Sequence, residues 1–242
     1  MVRVNGFARP FSNDQVLTWI LFPIAVASFY LAAAPFVPDG AARITVLTVY
    51  SLLMLSVMGS WFLCSYLDPS KETDRFCPCM KESQEISRYC RTCEKHVPGL
   101  DHHCTWMNTC IGKRTYPFFY ILSFCGTAMS VLHLLVGILL LTFWFDEDRA
   151  EDIVGSTLAY KVLISIVVVG AFVLIVAFGI LCSFHTMLLY RGKGTYDWLI
   201  AAHEKKMEKA KKRRQDRLER QAKKEDGSPS QKPTGKAKLI KS

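Results

Sequence analysis

Between Gly99 and Trp106 the chain reads GLDHHCTW. Three neighbours in that stretch, His102, His103 and Cys104, can each bind a metal or perform acid, base or nucleophilic chemistry. Consecutive side chains point in different directions, so the three are expected to divide tasks. A thiol attacks as the thiolate, and a neighbouring base or cation favours that form. A carboxylate beside an imidazole holds it in the useful tautomer. Asp101, His102 and Cys104 supply all three groups within four residues. His103 is then expected to point the other way and anchor the loop to a metal. The rival reading is that the whole run ligates metal without catalysis.

The surrounding segment, CPCMKESQEISRYCRTCEKHVPGLDHHCTWMNTC, crowds six of the nine cysteines into 34 residues. A structural zinc site takes four thiolate or imidazole ligands in a tetrahedron. The two-residue gap between Cys90 and Cys93 lets both sulfurs grip one ion. Either His103 or His102, with Cys110, can complete it. Cys77 and Cys79 are one residue apart, a tighter bite, and His96 can join them, but no fourth ligand is evident. With Asp101, His102 and Cys104 reserved for catalysis, the remaining candidates make one complete site and one three-ligand site.

These groups need elements to position them. The chain has 242 residues, half of them apolar, with a formal charge of +9. That mixture suits apolar runs inside a bilayer and charge outside it. Four runs have the length of about 20 apolar residues that a spanning helix needs: 16–37, 44–67, 116–145 and 160–189. The expected fold is an all-α polytopic membrane protein, four transmembrane helices with a zinc-stabilised Cys/His-rich domain (68–115) between spans two and three. The first run is too long for a signal-peptide core and is read as a retained span. Ser12 and Gln15 form a candidate capping box at its start. Cys64, Cys125 and Cys182 fall in apolar runs and read as small buried hydrophobes.

Basic residues set orientation, cytosolic loops being rich in them. The links 38–43 and 146–159 are base-poor, the second carrying five acids; residues 68–115 carry eight Lys or Arg, and the tail from Arg191 carries seventeen. So the links are expected in the lumen or exterior, and residues 1–15, the cysteine-rich domain and the tail 190–242 in the cytosol. The cytosol is reducing, which favours metal binding or catalysis over disulfides. The cysteine-rich segment shows no sustained period of 2 or 3.6 and is expected to be irregular, ordered by metal. The tail reads as a charged helix lying over acidic lipid headgroups and then a disordered end. Without aromatics among its charges, nucleic acid is not an expected partner. His133 and His185 lie within spans; both are read as neutral imidazoles bonded to neighbouring helices, and His185 is close enough to the cytosolic end to approach the catalytic loop.

At DHHCTWMNTCIGKRTYPFFY the segment resembles the cysteine-rich domain of the DHHC family of membrane protein S-acyltransferases, or palmitoyltransferases. The shared features are Asp-His-His-Cys followed by Trp106, Asn108, Cys110, Gly112 and Phe at set offsets, with four spans around the domain. The resemblance implies that Cys104 is the nucleophile that takes a fatty acyl group from acyl-CoA and passes it to a cysteine of a substrate protein. It implies that His102 is the general base, oriented by Asp101, and that His103 binds zinc with Cys90, Cys93 and Cys110. The other zinc site of the family falls on Cys77 and Cys79 with altered spacing. Tyr89 stands where a His is expected and His96 where a Cys is expected. Further departures are Thr105 for Pro, Thr115 for Asn, Asp68-Pro69-Ser70 for Asp-Pro-Gly, and Gly194-Thr195-Tyr196-Asp197 for Thr-Thr-x-Glu.

The expected enzyme is therefore a palmitoyl-CoA:protein-cysteine S-palmitoyltransferase. It is integral to the endoplasmic reticulum, Golgi or plasma membrane, with its active site on the cytosolic face. Its expected partners are membrane lipid, acyl-CoA and cytosolic-face proteins with reactive cysteines, and its cofactor is zinc. Arg88, Arg91, Lys95, Lys113 and Arg114 are candidates to meet CoA phosphates. Trp106 is expected to pack the loop down. The alternatives are a non-catalytic zinc-binding scaffold or accessory subunit of the same fold, and a thiol–disulfide enzyme using Cys90 and Cys93.

Overall fold

The computed structural model describes residues 2–72 and 86–226. All four apolar runs are helices long and apolar enough to cross a membrane: Asn13–Phe36, Ala41–Tyr66, Tyr116–Trp144 and Thr157–Tyr190. The α-helical part of the first, α1, is Asn13–Ser28, and α2 is Ala41–Tyr66. The third span opens with α3, Tyr116–Leu139, and the fourth is α5, Thr157–Tyr190. Between them the link forms a short helix, α4, Glu147–Val154, capped by Asp146 and ended by Gly155 at φ +74°. At 1.5 Å per residue, the 34 residues of α5 extend about 51 Å. That exceeds the roughly 30 Å hydrocarbon thickness. Its last turns therefore reach the cysteine-rich insert.

Ser12 caps α1, its side-chain oxygen accepting the Gln15 N–H at 3.1 Å. The reciprocal half of the expected capping box does not form, because the Gln15 side chain donates to the Gly6 carbonyl at 2.8 Å instead. After Ser28 the helix widens into a π turn, Phe29–Ala33, and tightens into a 3-10 turn at Ala34–Phe36. Pro35 has no N–H to donate there. The Ala32 carbonyl accepts from the Tyr160 hydroxyl of α5, so a neighbouring span satisfies it. Small residues let α3 and α5 approach: a Cβ at Gly137 would sit 2.7 Å from Val168 Cγ2, and one at Gly126 would sit 2.9 Å from Phe178 Cδ1. His133 does not find the expected hydrogen bond at Nε2, which has no partner among the described residues. The ring packs edge-on to Phe29 and Tyr50 instead.

The insert contains two short antiparallel hairpins rather than irregular chain. Strand β1, Ser87–Cys90, pairs with β2, Lys95–Pro98; β3, His102–Cys104, pairs with β4, Thr109–Ile111. Strands of three or four residues are too short to display an alternating pattern in sequence. Each hairpin turns through one non-glycine residue at positive φ, Glu94 and Asn108, both at +55°. The N-terminal segment straps across the insert. Arg3 N–H donates to the Cys93 carbonyl at 3.1 Å, and Gly6 N–H to the Ser65 carbonyl at 2.8 Å. The Asn108 side chain donates to the Ala8 and Pro10 carbonyls at 3.3 and 3.1 Å.

The chain divides into two compact units, 1–198 and 199–242. A last helix, α6, Thr195–Asp226, starts in the first unit. Within the second unit, described through residue 226, it is the basic helix expected from sequence.

Candidate active site and metal centre

Strand pleating separates the three neighbours. Side chains two apart on a strand share a face and the one between them takes the other. His102 and Cys104 of β3 therefore face one way and His103 the other. His103 meets Cys90, Cys93 and Cys110, the only all-Cys/His metal-binding group among the described residues. Its Nδ1 lies 3.3 Å from Cys93 Sγ, 3.8 Å from Cys90 Sγ and 3.8 Å from Cys110 Sγ, and the Cys110 and Cys93 sulfurs are 3.5 Å apart. A tetrahedral zinc with Zn–S of about 2.3 Å and Zn–N of about 2.0–2.1 Å requires ligand separations of about 3.5–3.8 Å. The four donors fit that ion. The hydrogen bond from Cys110 and the nearby His103 pull the Cys93 thiol well below its ordinary value, and Cys93 in turn pushes Cys110 up. A divalent cation supplies the charge that lets the thiols ionise together.

The sequence left His102 and His103 as alternatives for this cluster; the structure brings His103 to it. His96 is elsewhere, exposed on β2 with its ring 5.3 Å from Tyr89. Cys77 and Cys79, its proposed companions, lie outside the described residues.

On the opposite face, His102 Nδ1 is 2.7 Å from Asp101 Oδ2, and Cys104, two residues further along β3, shares that face. The other carboxylate oxygen, Asp101 Oδ1, accepts the Thr195 N–H at 2.7 Å. Asp101 is 4% exposed and Cys104 8%. Burial opposes charge on His102, but the bonds to Asp101 and Cys104, and their charges, outweigh it and raise the imidazole from 6.5 to about 9. Burial likewise pushes Asp101 up, and the His102 and Thr195 contacts more than reverse it, leaving the carboxyl below its ordinary value.

Three contacts here have only a partial sequence signal. His185 of α5, 2% exposed, brings a ring nitrogen within 4.8 Å of Asp101 and His102 donor atoms. Its Nδ1 is hydrogen-bonded to the Tyr116 hydroxyl at 3.1 Å. Phe119 of α3 meets both imidazoles, 5.1 Å from His102 and 4.8 Å from His185 between ring centres. Span position alone brought His185 towards the loop; nothing in sequence indicated Tyr116 as its partner.

Several departures from the resembled pattern acquire contacts. Thr115 Oγ1 donates to the Cys110 carbonyl at 3.1 Å and accepts the Gly112 N–H at 3.0 Å, clamping the turn between metal centre and α3. Thr105 donates to Asp14 in the first turn of α1. Asp197, one methylene shorter than Glu, still pairs with Arg88. The candidate phosphate-binding bases are mostly occupied within the fold. Arg88 holds Asp197 and lies 4.6 Å from the Tyr196 ring centre. Lys95 donates to Asp68 and to the Val4 carbonyl, both at 2.7 Å, and Arg114 to the Asp68 carbonyl at 3.1 Å. Trp106 is 49% exposed rather than packed; Met107, 3% exposed, fills that role.

Four membrane-length helices carrying a cysteine-rich insert, with a four-donor metal cluster beside an Asp–His–Cys constellation, define a multi-pass membrane protein with a metal-stapled reactive site. Residues 70–202 match the family described as DHHC palmitoyltransferase. That match covers more than half of the 242-residue chain, and the chain belongs to this family. It is 29% identical over 141 residues to "Probable protein S-acyltransferase 20" of Arabidopsis thaliana, covering 54% of this chain and 20% of that protein. It is 33% identical over 107 residues to "Palmitoyltransferase ZDHHC5-A" of Danio rerio, covering 44% and 13%. To "Palmitoyltransferase erf2" of Emericella nidulans it is 29% identical over 112 residues, covering 46% and 18%. The matched stretches thus span a fifth or less of these three relatives.

Proposed function

We propose that the chain is a protein S-acyltransferase that moves a long fatty acyl group, palmitoyl foremost, from acyl-CoA through an acyl-Cys104 thioester to cysteines of substrate proteins. The observation that carries the reading is His102 bonded to the buried Asp101 carboxylate at 2.7 Å on the face of β3 that it shares with Cys104. The relatives' printed names agree with it.

Cys104 attacks the carbonyl of acyl-CoA as the thiolate. A new sulfur–carbon bond forms, the CoA sulfur leaves, and that sulfur takes the proton held on His102. A substrate thiol then gives its proton to His102 and attacks the acyl-Cys104 carbonyl, releasing Cys104 as thiolate. Asp101 keeps the imidazole oriented through both steps. Cys90, Cys93, His103 and Cys110 hold one zinc ion, whose chemistry is structural: it fixes β3 and so the face that His102 and Cys104 share. The insert and both termini lie on the cytosolic side, a reading supported by base-poor links at the other side. The acyl chain lies among the spans while CoA stays in water.

The test supplies labelled palmitoyl-CoA to the purified chain in detergent. A hydroxylamine-sensitive adduct on the wild type, absent from Cys104→Ser, is expected. A zinc-loaded wild type that forms no adduct sinks the proposal and leaves the scaffold reading.

A further inference from the structure

We infer that Asp101, His102 and His185 form a second, weaker site for a divalent transition metal such as Zn2+, through which free zinc reversibly blocks the protein. The inference rests on the proposed acyl transfer only for the word "blocks"; the binding stands on geometry alone.

Donor atoms of Asp101, His102 and His185 all lie within 4.8 Å of one another. Cys104 shares the His102 face of β3 but is not one of the three donors. One carboxylate and two imidazoles make a donor set that zinc accepts, with water completing the tetrahedron. The two ligands farthest apart in sequence are already held from outside, as ligands of metal sites usually are. Asp101 is held by the Thr195 N–H at 2.7 Å, and His185 Nδ1 by the Tyr116 hydroxyl at 3.1 Å. When Tyr116 accepts the Nδ1 proton, Nε2 of His185 carries the free lone pair. An entry path exists too: Asp101 and His185 are 4% and 2% exposed, but the His102 side chain is 26% exposed.

The site is weaker than the Cys90–Cys93–His103–Cys110 cluster for two reasons. Separations of up to 4.8 Å exceed the roughly 3.2–3.8 Å edges of a zinc tetrahedron, so the ligands must close in. The 2.7 Å Asp101–His102 hydrogen bond must also yield to the ion. A bound ion therefore leaves to a mild chelator while the thiolate-rich cluster keeps its own. While bound, it occupies the lone pair of His102, so proton transfer cannot start.

The test uses the full chain, treated with a mild chelator and analysed for retained zinc. Zinc is then titrated while bound metal and acyl-adduct formation are both followed. The wild type is expected to take one further zinc per chain with parallel, chelator-reversible inhibition. In His185→Asn, whose amide N–H can still donate to Tyr116, half-inhibition normalised to the variant's own zinc-free rate should need about tenfold more zinc or above. Cobalt gives a readout independent of activity: the wild type should take up a second cobalt with visible d–d absorption of its own, and His185→Asn should lose that component. No further zinc on the wild type, or equal uptake by wild type and His185→Asn, overturns the inference. Further zinc that depends on His185, in a chain that forms no adduct even without zinc, upholds the site and sinks acyl transfer.

Discussion

Asp101 Oδ1 accepts the backbone N–H of Thr195 at 2.7 Å, joining the residue behind His102 to the first turn of a helix 94 positions further on. This contact belongs to the backbone, so most substitutions at Thr195 preserve it. Proline removes the N–H yet is tolerated at the first helical position. A hydrogen bond to a charged group contributes about 1.5–3 kcal/mol. Thr195→Pro is therefore expected to slow acyl-adduct formation about tenfold or more, and Thr195→Ala to change it little. Intact-mass kinetics with palmitoyl-CoA separates the two.

His102 and His103 should fail differently although they are adjacent. His103→Ala removes one of four metal donors and is expected to cost the chain its tightly held zinc and the insert its protease resistance. His102→Ala should retain that zinc and lose the adduct. Metal analysis beside the adduct assay reads both. Loss of zinc from His102→Ala would mean the faces of β3 have been exchanged.

The Lys95–Asp68 pair, 2.7 Å apart, ties β2 to the end of α2. Burial pushes the Asp68 carboxyl up, but bonds from Lys95 and Ser70 and the Lys95 charge bring it below 3.8 overall. A carboxyl depressed in the folded state stabilises fully above its unfolded value and loses that contribution as pH falls through the folded one. Asp68→Asn should lower stability by about 1–3 kcal/mol at neutral pH. The gap between wild type and variant should close as pH drops below 3.8. Thermal unfolding across pH measures it; a gap unchanged by acid would refute the pairing.

The N-terminal strap is expected to matter for the loop that follows Cys104. A Cβ at Gly6 would lie 2.2 Å from the Met107 carbonyl oxygen and 3.1 Å from that of Ser65, both backbone atoms that cannot swing aside. Gly6→Ala should cost about 1–3 kcal/mol and loosen the turn that Asn108 closes. Hydrogen exchange at 105–109 should rise in the variant. Unchanged exchange would mean the strap is not what holds that turn.

Much of this molecule was legible beforehand because two of its constraints are local. Bilayer thickness imposes long apolar runs, so Asn13–Phe36, Ala41–Tyr66, Tyr116–Trp144 and Thr157–Tyr190 lie within a few residues of the runs read from sequence. Metal and nucleophile chemistry restrict residue types, so Cys90, Cys93, Cys110 and the Asp101–Cys104 run stood out by identity and spacing. The hairpins did not, because three-residue strands show no period. Nor did the consumption of Arg88 and Lys95 by Asp197 and Asp68, because charge counts cannot tell a solvated base from a paired one.

By itself the sequence determined the four spans, the pool of metal donors and the presence of carboxylate, imidazole and thiol within four residues. Only the tertiary structure decided which histidine faces the cysteine cluster, since that choice follows from β3 pairing His103 with Cys110 and the pleat then turning His102 and Cys104 away. Only the tertiary structure brought Thr195, Tyr116 and His185 to the Asp101–His102 pair. Those contacts join positions far apart in the chain, and no local pattern of residues records which distant backbone or ring will fill the space.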